Sequence, residues 1–322
     1  YRAEDSDTAF ITDRFIQHMG TAQSGWFATL NYIRPHPPFV CPAPYNQMYD
    51  PAKVPPPVHS LDNTPHAYVD ALRETKPLST CVEGFPDLEA TTETVQQVRA
   101  LYLGLAAEVD HHIGRIIEWL KDSGQWDDTI LVVTADHGEM LGDHGTWGKN
   151  TFHDAAFHVP LMIRVPGKSP HRINAMTESI DVAPTILDFA GRAAPHSMNG
   201  ASLRSAIETG SGTRRVSFSE VDFADPVNPT SLQRKLATSA NQSNFAVLRS
   251  DRYRLVHFAS DLPQILYDMD AEGELRDIST SPNSAAICLD LSRQMLCHRM
   301  VHPESTFART MVVDGGVKIG PA

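Results

Sequence analysis

The chain has 322 residues, of which 41% are hydrophobic and 20% are charged, and its formal net charge is −12 at pH 7. This length and composition indicate a globular protein with one large domain or two smaller ones. The acidic balance, with no local run of Lys or Arg, argues against non-specific nucleic-acid binding. No apolar run reaches the roughly 18 residues that span a bilayer, so no transmembrane helix is expected. The four cysteines form no CxxC pair, which favours a reducing compartment, cytoplasmic rather than periplasmic.

The first predicted elements lead to a histidine on a proline-rich loop. Apolar residues at helical spacing predict an amphipathic helix over residues 5–19, with Asp7 or Thr8 as its N-cap. The segment Trp26–Ile33 is aromatic and β-branched, which predicts a strand. Prolines flank His36 just beyond this strand. Because proline permits neither a helix nor a ladder, it holds His36 on a stiff loop.

A long helix and an apolar strand come next. Residues 40–92 are rich in proline and lack periodicity, so we expect a surface excursion that could form a rim over a site. Apolar residues at spacings of three and four predict a helix over residues 92–123, closed by Gly124. The run Thr129–Ala135 then predicts a strand buried on both faces of a parallel sheet. Helix, turn and strand in this order, with a strand upstream, indicate a βαβ arrangement.

The remaining elements change in character along the chain. Residues 159–165 predict another strand and residues 179–190 a helix. Beyond about residue 210, short strand candidates separated by turns predict a small antiparallel sheet, with a helix over residues 283–300 packed on it. The candidates are Val216–Phe223, Phe245–Leu248, Tyr253–Phe258 and Ile265–Met269.

These elements together predict an α/β protein. Residues 1–212 would form a mostly parallel central sheet flanked by helices, and residues 213–322 a smaller antiparallel sheet plus helix subdomain. Residues 303–322 could form a tail that docks on a neighbouring subunit, so a homo-oligomer is one option.

Ionisable side chains crowd the end of the strand at Thr129–Ala135. Asp136 and His137 follow it directly, and both residue types are metal ligands. In open α/β sheets, ligands bind beyond the carboxyl ends of the strands. Taken alone, however, an Asp-His pair is more often a capping Asp and a polar loop His.

Two further residues are candidates for binding an anion or a leaving group. Lys149 follows Gly148, and its ammonium group suits a phosphate or sulfate oxygen, although a solvated loop lysine is the commoner case. No Walker A motif surrounds it. The His36 imidazole could assist a leaving oxygen, or it could simply pack against aromatic neighbours. The other loop histidines, at 144, 153 and 158, match no zinc spacing, and Cys41 has no adjacent base.

With these residues in view, the chain resembles the sulfatase branch of the alkaline phosphatase-like superfamily, nearest to phosphonate monoester hydrolases and arylsulfatases. The blocks that carry the resemblance are Val109–Gly114, Asp136–Gly145 with Gly148-Lys149, Val159–Gly167, Asp181–Asp188, Leu266–Asp270, and Arg34–Phe39 followed by Ala43–Tyr45. The resemblance implies that Asp136 and His137 ligate a divalent cation (Mn, Ca, Mg or Zn). It also implies that Lys149 contacts the transferred group and that His36 contacts the leaving group.

The same resemblance implies a formylglycine made from the Cys or Ser of a C/S-x-P-x-R motif. None of the four cysteines fits this motif, since Cys41 has Ala43 and Tyr45 where Pro and Arg are needed. We therefore expect the nucleophile segment to lie upstream of Tyr1 and the chain by itself to be inactive. The expected activity is hydrolysis of small anionic phosphonate, phosphate or sulfate esters. The alternatives are a phosphodiesterase or phosphatase with an upstream Ser or Thr nucleophile, and a non-catalytic anion-binding derivative.

Overall fold

The computed structural model describes residues 1–61, 65–195, 197–225 and 227–301, with the backbone of residues 310–313 and 316–319. The chain divides into two compact units. Unit 1 comprises residues 1–59 and 72–168, and unit 2 comprises residues 60–71 and 169–322. The predicted domains, 1–212 and 213–322, were based on the change in the character of the sequence and not on contacts in space, so they stay a prediction.

The described helices and strands follow the chain in this order. The helices are α1 Asp7–Met19, α2 Ala67–Thr75, α3 Thr92–Asp122, α4 Asp154–Phe157, α5 Val182–Phe189, α6 Arg204–Thr209, α7 Ser231–Leu236 and α8 Ser284–Val301. The strands are β1 Leu131–Thr134, β2 Leu161–Arg164, β3 Val216–Asp222, β4 Asn244–Ser250, β5 Tyr253–Phe258, β6 Ile265–Asp268, β7 Thr310–Val313 and β8 Gly316–Ile319.

Unit 1 is built on α3, against which α1 packs. The α3 helix begins after Thr91, whose hydroxyl accepts the Thr94 N–H at 3.2 Å. The α1 helix begins after Ser6, whose hydroxyl accepts the Ala9 N–H at 3.0 Å. Our assignment of its N-cap to Asp7 or Thr8 is therefore wrong, because Ser6 has the extended backbone of a capping residue. One core cluster of unit 1 comprises Phe39, Leu78, Cys81, Val95, Val98, Leu105 and Trp147.

Two segments of unit 1 differ from the sequence expectation. Residues 26–33 form no strand, although their exposure alternates from one residue to the next as in a strand. No described strand pairs with them, so the aromatic and β-branched composition alone did not produce a ladder. Residues 40–92 contain the helix α2 within the predicted excursion, and its nine residues were hidden by the prolines around it.

The strand pair of unit 1 is antiparallel. Leu131 pairs with Arg164 and Thr134 pairs with Leu161, and most residues of both strands are only partly buried. We expected β1 to be buried on both faces of a parallel sheet, and the strands described here correct that detail. The chain returns from β1 to β2 through residues 135–160, which contain only the short α4. A parallel return usually runs through a helix that crosses the sheet, and the four-residue α4 does not provide one, which is consistent with the antiparallel pair.

Unit 2 contains the predicted antiparallel sheet, in the order β3-β4-β5-β6. Helix α8 packs on one face, where its residues Leu291 and Met295 join a core with Ala246, Leu248, Leu255 and Leu266. The opposite face carries Phe245 and Phe258, whose rings lie 5.3 Å from that of Tyr68. This alternation follows from the period of two in a strand.

The sequence predicts no transmembrane helix. None of the helices in the described part of the chain combines the length and the apolar character that a bilayer crossing needs. The tail proposed for subunit docking, residues 303–322, falls largely outside the described residues, which there include only the β7–β8 backbone.

Candidate active site

The candidate site begins where β1 ends. The strand stops at Thr134, and Asp136 and His137 follow it closely. The Asp136 side chain is 86% exposed, whereas that of His137 is 28% exposed. The His137 backbone N–H donates to Asp136 Oδ1 at 3.0 Å, and His137 Nε2 lies 3.3 Å from Asp136 Oδ2. The turn after β1 therefore brings a carboxylate oxygen and a ring nitrogen together, although the two residues are adjacent in the chain.

The contacts of the His137 ring determine which nitrogen carries the proton. Nδ1 lies 2.8 Å from the Gly138 carbonyl oxygen, which can only accept, so Nδ1 is the protonated nitrogen of the neutral ring. The lone pair of Nε2 is then available, and Lys149 Nζ donates to it at 2.6 Å. A metal-ligating histidine uses this same arrangement, in which an acceptor fixes one nitrogen and the other faces the ligand.

The Glu139 side chain connects the two ends of the loop that leads from β1 to Lys149. Its Oε1 accepts the backbone N–H of Gly148 at 2.6 Å and that of Leu141 at 3.4 Å. Gly148 has φ of +81°, a left-handed conformation that favours glycine. Lys149 follows this turn, so its position depends on the bond that Gly148 makes with Glu139.

A second hydrogen bond closes the same loop. The Met140 N–H donates to the Gly148 carbonyl at 3.0 Å, opposite the bond from Gly148 to Glu139. Burial raises the pKa of the Glu139 carboxyl, while the backbone N–H groups of Gly148, Leu141 and Met140 work against that rise. The loop from Glu139 to Lys149 is therefore closed by paired bonds, much like a short hairpin.

The rest of unit 1 anchors this loop from outside. Asp143 Oδ1 accepts from Arg99 Nη1 of α3 at 2.9 Å and from the Val58 N–H at 2.9 Å. The Gly138 N–H donates to the Ala156 carbonyl of α4 at 2.8 Å. The contacts of Asp143 thus fix the middle of the loop, and the bond from Gly138 fixes its beginning.

His36 reaches the same place from another segment. Its backbone N–H donates to the Ile33 carbonyl at 3.0 Å, and its Nδ1 lies 2.7 Å from the Pro37 carbonyl oxygen. Its ring centroid lies 6.4 Å from that of His137, with the planes at 66°. Because a carbonyl oxygen holds Nδ1, Nε2 is the nitrogen left for a ligand.

All four residues predicted for the site therefore lie together. Asp136 and Lys149 each contact His137, and the His36 ring lies beside the same imidazole. Their roles in metal binding and catalysis stay predictions.

The donor set was tested against a divalent cation. Within the described ranges, no group of three or more His, Cys, Asp or Glu residues is arranged to hold a metal ion. Asp136 and His137 nevertheless present an oxygen and a nitrogen donor 3.3 Å apart, and both donor types suit a divalent cation. These residues fit part of a metal site and leave the other ligands to be supplied elsewhere.

No role was predicted for Glu139, and His144 and His153 were expected to be structural residues or neighbours of the ligands more often than ligands. The signal for Glu139 was its position between His137 and the Gly148 turn, but only the folded loop reveals the bond. His144 and His153 are buried and stacked, with ring centroids 4.1 Å apart and planes at 9°. Burial lowers the pKa of His144, and the Asp143 carboxylate opposes that shift.

Comparison with known proteins places this geometry in a family. A profile described as Sulfatase matches residues 2–192. The multifunctional alkaline phosphatase superfamily protein PehA of Trinickia caryophylli is 34% identical over 320 residues, covering 94% of this chain and 61% of that protein.

Two solved structures are similar over nearly the whole chain. The phosphonate monoester hydrolase SpPMH from Silicibacter pomeroyi is 49% identical with a TM-score of 0.93, covering 99% of this chain and 65% of that one. The phosphonate monoester hydrolase of Agrobacterium radiobacter is 32% identical with a TM-score of 0.85, covering 100% and 66%. The chain thus spans 61–66% of the length of these relatives.

These matches confirm the α/β, alkaline phosphatase-like fold class expected from the sequence motifs. Metal dependence and formylglycine are general features that the family implies. The family profile covers more than half of the 322 residues. The chain belongs to the sulfatase family of the alkaline phosphatase-like superfamily.

Proposed function

We propose that the protein containing this chain is a metal-dependent hydrolase of phosphonate monoesters, with phosphate and sulfate esters as related substrates. The observation that carries the proposal is the convergence of Asp136, His137 and Lys149 at the end of β1. The two phosphonate monoester hydrolase structures, at 49% and 32% identity, support phosphonate monoesters as the first substrate class to test.

The chemistry of these esters explains why such residues belong together. Cleavage concentrates negative charge on the oxygens of the transferred group and on the leaving oxygen. A divalent cation, when bound, stabilises this charge as a Lewis acid, and Asp136 and His137 would hold it. The protein carries a net charge of −12, so an anionic substrate must be attracted by a local site and not by the overall field.

Lys149 and His36 act on the substrate in this proposal. The exposed Lys149 ammonium binds an oxygen of the transferred group and adds positive charge where the transition state needs it. His36 presents Nε2 for a hydrogen bond with the leaving oxygen, since its Nδ1 is held by the Pro37 carbonyl. The two residues therefore serve opposite sides of the bond that breaks.

The nucleophile and the compartment are also part of the proposal. A formylglycine, as the family implies, would have to come from outside residues 1–322, because no Cys or Ser here is followed by Pro and Arg at the required spacing. All four cysteines are free thiols, which supports a reducing, cytoplasmic location.

Metal content and turnover of the full-length protein test this function together. Asp136→Ala should remove bound divalent cation and lower kcat/KM for p-nitrophenyl phenylphosphonate by at least about 100-fold. Asp127→Ala is the matched control, because this carboxylate is 98% exposed and precedes the same strand. It should retain both metal and activity.

Elemental analysis and the same assay with p-nitrophenyl sulfate complete the test. A wild-type protein that binds no divalent cation, or an Asp136→Ala variant that keeps its metal and its activity, would overturn the proposal. Faster cleavage of the sulfate ester would keep the hydrolase and reverse the order of its substrates.

A further inference from the structure

We propose that Glu139 is a positioning residue that holds Lys149 in place for the anion of the substrate. This inference rests on the proposed function, because it gives Lys149 its role there. Glu139 itself touches no substrate in this account. It acts through the backbone of the loop that carries the lysine.

The first step of the argument is that Glu139 is itself fixed. It lies two residues after His137, and its backbone N–H donates to the Ala155 carbonyl at 3.0 Å. The neighbouring Gly138 approaches so closely that an added Cβ would stand 2.0 Å from the same carbonyl oxygen. The backbone of Glu139 is therefore anchored to α4, two residues after the candidate metal ligand His137.

The second step is that Gly148 depends on this carboxylate. Apart from its two neighbours in the chain, no described residue has an atom within 4 Å of the place where a Cβ would stand on Gly148, so packing against other segments does not hold its left-handed turn. The bond from its N–H to Glu139 Oε1, at 2.6 Å, is one of two that fix it, and the other comes from Met140 to its carbonyl. Removing the Glu139 carboxylate would leave Gly148 with only the hydrogen bond from Met140.

The third step is that the Gly148 turn sets the position of Lys149. The lysine side chain is exposed and is held near His137 by its contact with Nε2 at 2.6 Å. The side chain is a flexible four-carbon stem, so the backbone that follows Gly148 sets which positions its ammonium group can reach. Glu139 thus links the part of the site that would bind a cation to the part that would bind an anion.

A double-mutant cycle in the full-length protein separates positioning from general stability. Glu139→Ala should lower kcat/KM by roughly 10- to 100-fold, because misplacing a charged group by about 1 Å has a cost of that order. In a Lys149→Ala background, the same substitution should change kcat/KM by less than about 3-fold, because the residue that it positions is gone. Glu139→Gln retains an acceptor for Gly148 and should stay within about 5-fold of the wild type.

Calorimetry with inorganic phosphate gives a second readout that needs no turnover. Glu139→Ala and Lys149→Ala should weaken phosphate binding by similar factors, and the double variant should be no weaker than Lys149→Ala. Glu139→Asp retains the charge but withdraws the oxygen from Gly148. Glu139→Asp should therefore weaken phosphate binding as Glu139→Ala does. It replaces the alanine variant in these measurements if that variant fails to fold.

Glu178→Ala is the matched control, because Glu178 Oε1 also accepts a backbone N–H, that of Phe218 at 2.7 Å, but in unit 2. Its effect should add to that of Lys149→Ala. If Glu139→Ala also adds fully to Lys149→Ala, or if Glu139→Asp is folded and fully active, the positioning role is overturned while the hydrolase stands. If Lys149→Ala alone loses neither activity nor phosphate affinity, the proposed function fails as well.

Discussion

Lys149 and His153 lie four positions apart in the chain, yet they have different environments. The Lys149 side chain is exposed and contacts His137, whereas His153 is 2% exposed and stacks on His144. The Thr151 hydroxyl lies 2.6 Å from Nδ1 of His153. One residue is available to a substrate, and the other belongs to the interior of the loop.

We therefore expect a substitution at Lys149 to lower turnover and a substitution at His153 to lower stability. Lys149→Ala should lower turnover of the full-length protein by at least about 100-fold with little change in its thermal midpoint, because it removes an exposed charge. His153→Ala should lower the free energy of unfolding by about 1–3 kcal/mol, because it empties a buried position. Steady-state kinetics and thermal melts check both. Equal losses of turnover in the folded variants would contradict the assignment.

Because His112 is buried, we expect the free energy of unfolding to fall at acid pH. Burial lowers its pKa from 6.5 to about 4, and Arg115 and His111 add to that shift while Asp13 opposes it. Between these pH values the unfolded chain binds the proton and the folded chain does not. Stability contributed by neutral His112 is therefore complete above pH 6.5 and is lost as the pH falls toward 4.

Denaturant unfolding at pH 7 and pH 5 measures this effect. The loss should be about 1–2 kcal/mol, after allowance for screening by solvent. His112→Gln should flatten the dependence, whereas the exposed His171→Gln should leave it unchanged. An unaltered pH dependence in His112→Gln would rule out His112 as the cause.

At the scale of elements, α3 contains two glycines with opposite surroundings. A Cβ on Gly104 would stand 2.4 Å from the Tyr45 carbonyl oxygen and 2.9 Å from Cys41 Sγ, because the segment around residue 45 lies directly against the helix. A Cβ on Gly114 would have no described atom within 4 Å apart from its chain neighbours and the backbone of its own helix. The same helix thus provides a test and its control.

Alanine at each glycine should shift stability in opposite directions. Gly104→Ala should destabilise the protein by about 1–3 kcal/mol, since the backbone that it meets cannot rotate away. Gly114→Ala should be neutral or stabilising by up to about 1 kcal/mol, since alanine favours a helix. Chemical denaturation of both variants checks this. A destabilising Gly114→Ala would show that helix propensity does not dominate there.

The comparison of elements explains what the sequence could predict. The α3 helix was predicted to within about one residue because its apolar spacing is a local property of the chain. The direction of β2 relative to β1 was not predicted, because it depends on how residues 135–160 fold between the two strands. The α2 helix was missed since Tyr68, which packs on the sheet of unit 2, was read as part of a proline-rich loop.

The same reasoning applies to the candidate site. Residue type and position after a strand identified Asp136, His137, Lys149 and His36, since each is recognisable from its own neighbours in the chain. The role of Glu139 depends on a bond across nine positions to Gly148. Such bonds are specified by the folded loop, and composition does not reveal them.

At the scale of the whole molecule, residues 1–322 supply two candidate metal ligands and no formylglycine motif. A polypeptide of these residues alone should therefore hydrolyse p-nitrophenyl phenylphosphonate at less than about 1% of the rate of the full-length protein, since both metal and nucleophile contribute to catalysis. Parallel assays at equal concentrations of folded protein check this. Robust hydrolysis by residues 1–322 would mean that the chemistry uses other residues.

The extended segment at residues 26–33 has a consequence for protection from solvent. Its side chains alternate in burial, and Trp26 Nε1 and the Tyr32 hydroxyl are hydrogen-bonded to Gln125 and Thr12. None of its backbone amides donates a hydrogen bond to another described residue. In hydrogen exchange of a polypeptide of residues 1–322, these amides should lose their protons far sooner than those of β4 or β5, although their side chains are partly shielded. The path of the chain to His36 is then held by side chains, and its backbone remains open to exchange.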